Sequence, residues 1–530
     1  MASTPSTKPV RARKPPAPRK PKRPANLAHG RWLGDLEDEA PLSDAEKALV
    51  AACAKGEAWL REPSAGESPP KAATPANIIR AALIRFLLLG GDAKHPVHEN
   101  GVMAAGAWIS GTLNLHQTRC LVRLVLLDCH LANRPILMAA TLPELTLSGC
   151  ALPGLRADRL RVMSDVNLCE GFTANGEVRL SGAEIGGNLH CDSGSFVNAD
   201  GRALIADGLR VAGGVFLSEG FLASGEVRLL GAEIGSNLNC NGGSFANADG
   251  YALNANGLIV TGSLLLFDAK FEGAIVFAAA RIGDLIDDAR CWQAGGHILD
   301  GLHYDRIIGP TDATSRIAWL QKQHPAHLTS DFKPQPWEQL IKVLREMGHP
   351  YEAGQVAIAK QKQMRTAGLI QGRVQNAIHW LSVTIADYSY RLGPMRTAYL
   401  VIGAWLFCAV CFEFGRYYGY FGPSNPLIHA SAVFENCGVA GEGKPFWTST
   451  GCPLPPEYTT MSPLAYSLDL LLPLVNLQQD LDWAPIVING NGESLLGGYL
   501  LRALMWLEIV YGWLGSLILV AVIGRLVDKD

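Results

Sequence analysis

Cys408 and Cys411 form a C-x-x-C, the spacing at which two thiols exchange with a disulfide in soluble redox proteins. Here both fall within TAYLVIGAWLFCAVCFEF, an apolar run from Thr397 to Phe414. Low dielectric raises a thiol's pKa and withholds the reactive thiolate, so the pair reads either as packing or as a dithiol coupled to a membrane quinone. Glu508 interrupts a second apolar run, ALMWLEIVYGWLGSLILVAVIG from Ala503 to Gly524. An ionisable residue in such a run marks a functional site or polar pathway, whereas the nearby Arg502 would place it at a lipid headgroup. Cys437 and Cys452 bracket CGVAGEGKPFWTSTGC. In an oxidising compartment they would close a disulfide loop and stabilise it by about 3 kcal/mol.

Other motif fragments each lack a necessary part. Gly438–Lys444, GVAGEGK, imitates a phosphate loop, but Pro445 stands where the metal-binding Ser or Thr belongs. Asn198 and Asp200 before Gly201, and Asn247 and Asp249 before Gly250, resemble pieces of calcium loops, yet Phe196 and Phe245 occupy the first ligand position. Turns are the better reading there. His98 and Glu99 lack the second His of a zinc-protease motif. Cys120, Cys129, Cys150, Cys169, Cys191, Cys240 and Cys291 recur at repeat positions without zinc-ligand spacing and read as small core residues. No G-x-G-x-x-G stands in a strand-turn-helix setting. These residues assign no catalytic group, no metal and no cofactor.

The elements that would carry these residues follow from composition and period. A chain of 530 residues exceeds one core and implies several modules. Charged residues are 18% of it, below the usual share of about 25%, which favours partial membrane residence. A net charge of −3 argues against a nucleic-acid partner. Lys8, Arg11, Arg13, Lys14, Arg19, Lys20, Lys22 and Arg23 lie among prolines with no acid between them. That stretch reads as a disordered tail, either merely solvated or drawn to anionic lipid headgroups.

GEVRLSGAEIGGNLHCDSGSFVNADGRALIADGLRVAG from Gly176 recurs as GEVRLLGAEIGSNLNCNGGSFANADGYALNANGLIVTG from Gly225, a period of 49 residues. Upstream, Leu142, Leu147 and Leu152 fall five apart. Five-residue faces, four to a turn, would stack their apolar residues into a narrow core, with turns rising about 4.8 Å. The stretch from Gly106 to Asp300 then supplies roughly eight to ten turns of a right-handed, quadrilateral β-solenoid. The NADG segments break the rhythm and should bulge from a corner, with Gly201 and Gly250 at positive φ. Ile78, Leu83 and Leu87 in Ala76–Gly91 have the spacing of a capping helix.

Beyond the repeats, Leu340, Val343 and Leu344, then Ala353, Val356 and Ile358, predict a helical hairpin broken at Gly348 and Pro350. Lys360, Lys362, Arg365, Arg373, Arg391 and Arg396 precede the first apolar run, and Arg525 and Lys529 follow the second. The 88 residues from Gly415 to Arg502 hold only Arg416, Lys444 and Arg502 as basic residues. This asymmetry places the loop outside and both termini inside. Ser462–Gln479 is apolar but too short to cross a bilayer core of about 30 Å, so it reads as interfacial or re-entrant. Its Tyr466, Ser467, Asp469 and Asn476 form a pore-like segment.

The run IIRAALIRFLLLGGDAKHPVHENGVMAAGAWISGTLNL with the VRLxGAEIGxNLxC repeats resembles a bacterial family of pentapeptide-repeat-like β-solenoid membrane proteins, often catalogued as membrane-associated oxidoreductases. The resemblance implies a bacterial inner-membrane location and, by the family label, redox activity. The order span, short helix, span resembles a degenerate two-span ion-channel module, although LVNLQQDLDW supplies no carbonyl-ring filter. The expected organisation is a basic tail (1–40), a helical cap region (41–100), a β-solenoid (101–310), a helical neck (311–392), a first transmembrane helix (393–416), an extracytoplasmic loop with its short helix (417–500), and a second transmembrane helix with a short tail (501–530). The expected function is a membrane-anchored scaffold, with an oxidoreductase and a channel-like conduit as alternatives. Its expected partners are the bilayer, a protein on the solenoid face and other copies of the chain.

Overall fold

The computed structural model describes residues 33–60, 69–369, 399, 401–452, 454–472 and 475–527. The basic tail to residue 32 and Arg373, Arg391 and Arg396 lie outside the described residues. The chain divides into two compact units, Met1–Val383 and Thr384–Asp530.

In the first unit the five-residue rhythm is a burial rhythm. Ala140 and Leu142, Leu145 and Leu147, Cys150 and Leu152, Leu155 and Ala157, and Leu160 and Val162 are all buried. Each pair faces inward from one short strand, and four strands close a turn. Every strand pairs in parallel with its counterpart one turn away, so backbone donors and acceptors are satisfied by stacking. Among the described residues, nine such steps carry the strand at Val102 to the strand at Ile307. The result is a parallel β-solenoid.

The step length explains the internal duplication. Leu124 to Leu145 and Leu145 to Val166 are each 21 residues. The following steps, to Leu189, Val215, Leu238 and Leu264, are 23, 26, 23 and 26. The 49-residue period is therefore two turns, one long and one short. The extra length of the long turn sits in Ser195–Ile205 and again in Ser244–Asn254, each ten residue steps set against six in the strand stacked on it. There Val197 pairs with Ser224 and Arg202 with Glu226, setting five residues against two. These are the expected corner bulges, but Gly201 and Gly250 do not have positive φ. Asn198 Nδ2 donates to the Arg202 carbonyl at 3.0 Å and Asn247 Nδ2 to the Tyr251 carbonyl at 2.8 Å. The asparagines close the bulges and leave those glycines ordinary backbone. Positive φ is needed one turn on, at Gly225 (119°) and Gly273 (139°), which pass directly against the bulge carbonyls.

Phe172, Phe196, Phe221, Phe245 and Phe271 stack through the core, with ring centroids 4.7–5.3 Å apart. Both ends are covered. At the start, the expected helix over Ala76–Gly91 forms only over Ala81–Leu88, because Ile78–Arg80 extends and pairs with Trp108–Ser110. Asp44–Lys55 is a helix opened by a Ser43/Glu46 capping box. Its buried Glu46 also holds Arg80, Nε to Oε1 2.8 Å. Burial pushes the Glu46 carboxyl up, but the guanidinium and backbone N–H of Arg80 outweigh it and hold the group below its ordinary value. Leu33–Glu39, expected in the tail, is a helix with Leu33 and Leu36 buried in this cap.

At the far end the hairpin of Gln335–Glu346 and Pro350–Thr366 lies on the solenoid rather than forming a free neck. Gln339 Nε2 donates to the Tyr304 carbonyl (2.7 Å), Gln335 Nε2 donates to the Leu302 carbonyl (2.9 Å), and Gln335 Oε1 accepts from Gly301 N–H (2.8 Å). The polar edge of the last turn is thereby closed. Asp287 and Arg316 form a buried two-pronged pair beneath the preceding helix, Ala313–Leu320, both contacts 2.7 Å.

In the second unit, residues 401–417 are helical, Leu496–Val527 is a helix, and the loop between them is folded. Phe421–Pro423 pairs antiparallel with Trp483–Pro485 around a core of Phe412, Phe421, Trp447, Tyr466 and Trp483. The short helix spans only Pro463–Leu471, less than the expected Ser462–Gln479. The Asp469 carboxylate gathers the N–H groups of Leu477, Gln479 and Asp480, at 2.6, 2.8 and 3.1 Å, and so turns the chain back. Among the described residues, no helix is long and apolar enough to cross a membrane. The 17 described residues of 401–417 rise about 26 Å, short of the roughly 30 Å core the first expected span would need to cross.

Candidate functional site

A shallow groove of about 1030 Å³ runs along one face of the solenoid. It is built by two columns of outward side chains that flank the buried Val162, Ile185, Val211 and Ile234. One column stacks Arg119, Thr141, Arg161, Glu184, Arg210, Glu233, Ile259 and Arg281 at one residue per turn, and its four middle rungs alternate in charge. Arg161 Nε lies 3.2 Å from Glu184 Oε2, and Arg210 Nε 3.3 Å from Glu233 Oε2. These four remain more than 45% exposed. Exposed ion pairs of this kind stabilise a fold little, roughly 0–1 kcal/mol each. The other column is Met163, Gly186, Ala212 and Gly235. A Cβ on Gly186 or Gly235 would come 2.3 Å from a carbonyl of the preceding turn, so tight stacking keeps this strip bare. Met163 alone stands out of it, 74% exposed.

The second arrangement lies in the second unit and unites three of the residues singled out in the sequence. Glu508 is 4% exposed. The Ser467 hydroxyl sits between its Oε1 and the Trp405 carbonyl (3.0 Å), and the Cys408 thiol lies near the same carboxylate. Glu508 Oε2 is buried without a partner. Tyr466 lies beside this group and donates to Met505 Sδ at 3.3 Å. Asn476 is apart from it, exposed and accepting from Gln478 N–H at 2.7 Å. Cys411 is free and only partly buried, and it is not bonded to Cys408. Cys437 and Cys452 form a disulfide with Cα atoms 5.6 Å apart.

The fragments set aside in the sequence find structural uses. Glu442 of the GVAGEGK segment accepts from Gly490 N–H at 2.6 Å, and Gly438 N–H donates to the Pro445 carbonyl. The repeat cysteines line the solenoid core. Burial pushes the Cys120 thiol up to about 11 and those of Cys150, Cys191 and Cys240 well above the ordinary range. Among the described residues, no group of three or more His, Cys, Asp or Glu side chains could hold a metal ion. Sequence reading missed the Arg–Glu ladder, although Arg161 and Arg210, like Glu184 and Glu233, are one 49-residue period apart.

No protein-family model, curated protein or solved structure matches the chain.

Proposed function

We propose that the chain is a membrane-anchored scaffold whose solenoid presents a repetitive binding face and whose second unit attaches it to a bilayer. One observation carries the membrane half. Ile402, Leu406, Phe407, Val410 and Phe414 are exposed along 401–417, and Trp506, Leu507, Val510, Trp513 and Leu514 along the last helix. Over the same stretch the ionisable Glu508 is turned inward. Two helices that expose large apolar side chains while a carboxylate is turned inward suit hydrocarbon better than water. The scaffold half is supported by the solenoid face, where the long groove offers paired charges and bare backbone. The basic residues flanking the apolar runs favour both termini and the solenoid on the cytoplasmic side of a bacterial inner membrane.

Fractionation tests this reading. The full chain should sediment with membranes, resist carbonate extraction and be released by detergent. In intact spheroplasts the solenoid should be shielded from added protease while the disulfide-closed loop is reached. Recovery of the full chain in the soluble fraction without detergent would overturn the anchor.

A further inference from the structure

The four middle rungs of this column have a property that one exposed ion pair lacks: they are complementary to their own reverse. Along the rod, Arg161, Glu184, Arg210 and Glu233 alternate plus, minus, plus, minus at one turn per step. A two-fold axis lying in the plane of this face and across the rod brings up a second copy running the opposite way, with each column facing itself. Arg161 then meets Glu233 of the second copy and Glu184 meets Arg210, while two rungs further out Arg119 comes opposite Arg281, so the pairing rests on the four middle rungs. Each arginine spends its Nε and one terminal nitrogen within its own chain and keeps donors free for a second carboxylate.

The neighbouring column matches under the same operation. Its order of Met163, Gly186, Ala212, Gly235 sets the one protruding side chain over a glycine and the remaining glycine over an alanine. We infer that this face pairs with a second copy of the chain as an antiparallel, isologous dimer. The inference takes from the scaffold reading only that this face binds, and it names the partner. Membrane attachment does not enter it.

The test uses the full chain in mild detergent. The native protein should behave as a dimer by mass photometry or sedimentation. Arg161→Cys with Glu233→Cys should form an interchain disulfide on oxidation. Within one chain these positions are three turns apart, about 14 Å, too far for a disulfide. Arg161→Cys alone should not crosslink, since in the antiparallel arrangement position 161 does not face itself.

Arg161→Glu with Arg210→Glu makes the ladder all-negative and should weaken pairing by at least about a hundredfold. Swapping all four charges restores alternation, so that variant should dimerise again but fail to pair with the native chain. This restoration separates lost pairing from lost folding. A native chain that stays monomeric, or an Arg161→Cys chain that crosslinks as well as the double variant, overturns the proposal. A monomeric chain that still fractionates with membranes would do so while leaving the anchor reading intact.

Discussion

Gly225 passes so close to Asn198 of the preceding turn that a Cβ there would lie 2.4 Å from the Asn198 carbonyl oxygen. That contact is where the corner bulge meets the turn stacked on it, and Gly273 repeats it against Asn247 at 2.3 Å. With φ at 119°, Gly225→Ala adds strain to the clash and should destabilise the solenoid by roughly 2–4 kcal/mol. Gly201→Ala, at ordinary φ, meets the end of the Asn198 side chain at 2.9 Å and loosens its hydrogen bond to the Arg202 carbonyl, so it should cost about 1 kcal/mol, less than Gly225→Ala. Thermal melts of the two variants, followed by far-ultraviolet circular dichroism, compare them directly. Equal melting would refute this account of the bulge.

The Asp287–Arg316 pair is buried, and its aspartate also accepts from Trp292 Nε1 at 2.7 Å. Arg316→Met leaves that carboxylate uncompensated and should cost about 3–5 kcal/mol. Adding Asp287→Asn should recover a large part, since the indole keeps an acceptor and no charge is left buried. A denaturation double-mutant cycle reads the coupling, and additive losses would show that the two residues act independently.

His297 packs edge-on to Trp292, with ring centroids 5.4 Å apart. Burial lowers its pKa to about 4. The unfolded chain therefore binds a proton that the folded chain refuses between about pH 6.5 and 4. Stability at the solenoid's end should be full above pH 6.5 and fall by about 3 kcal/mol as pH drops toward 4. Trp292 fluorescence during urea denaturation at pH 7 and pH 5 measures it. An unchanged midpoint would remove His297 as the cause.

The Cys437–Cys452 link closes a 15-residue separation in the second unit. Replacing both with Ser should cost about 3 kcal/mol locally. Limited proteolysis should then cut within 437–452 while the solenoid's melting is unchanged. A loop equally resistant without the bond would mean that the Phe421, Trp447 and Trp483 packing suffices.

The solenoid was legible because its period is local. Leu142, Leu147 and Leu152 announce inward faces within fifteen residues, and Leu340 through Ile358 announce the hairpin in the same way. Most of what escaped depends on partners more than twenty residues distant in sequence. Gly201 was expected at positive φ from its own neighbourhood, but Asn198 made that unnecessary, and Gly225 carried the requirement. The hairpin's use as a lid was hidden because Gln335 and Gln339 read as surface residues until the edge carbonyls they cover are seen. Glu508 and Cys408 were each noticed alone, yet nothing local says that Ser467 and the Trp405 carbonyl join them.

The alternation of long and short turns also bears on how the rod can change its length. Its heritable unit is a pair of turns, because 49 residues restore both the bulge pattern and the register, whereas one turn restores neither. Arg161 with Glu184 and Arg210 with Glu233 are copies at that same distance, so gain or loss of a unit adds or removes one positive and one negative rung together. The number of rungs stays even. The alternation ends where the next pair of turns places Ile259 and Arg281 in the same column.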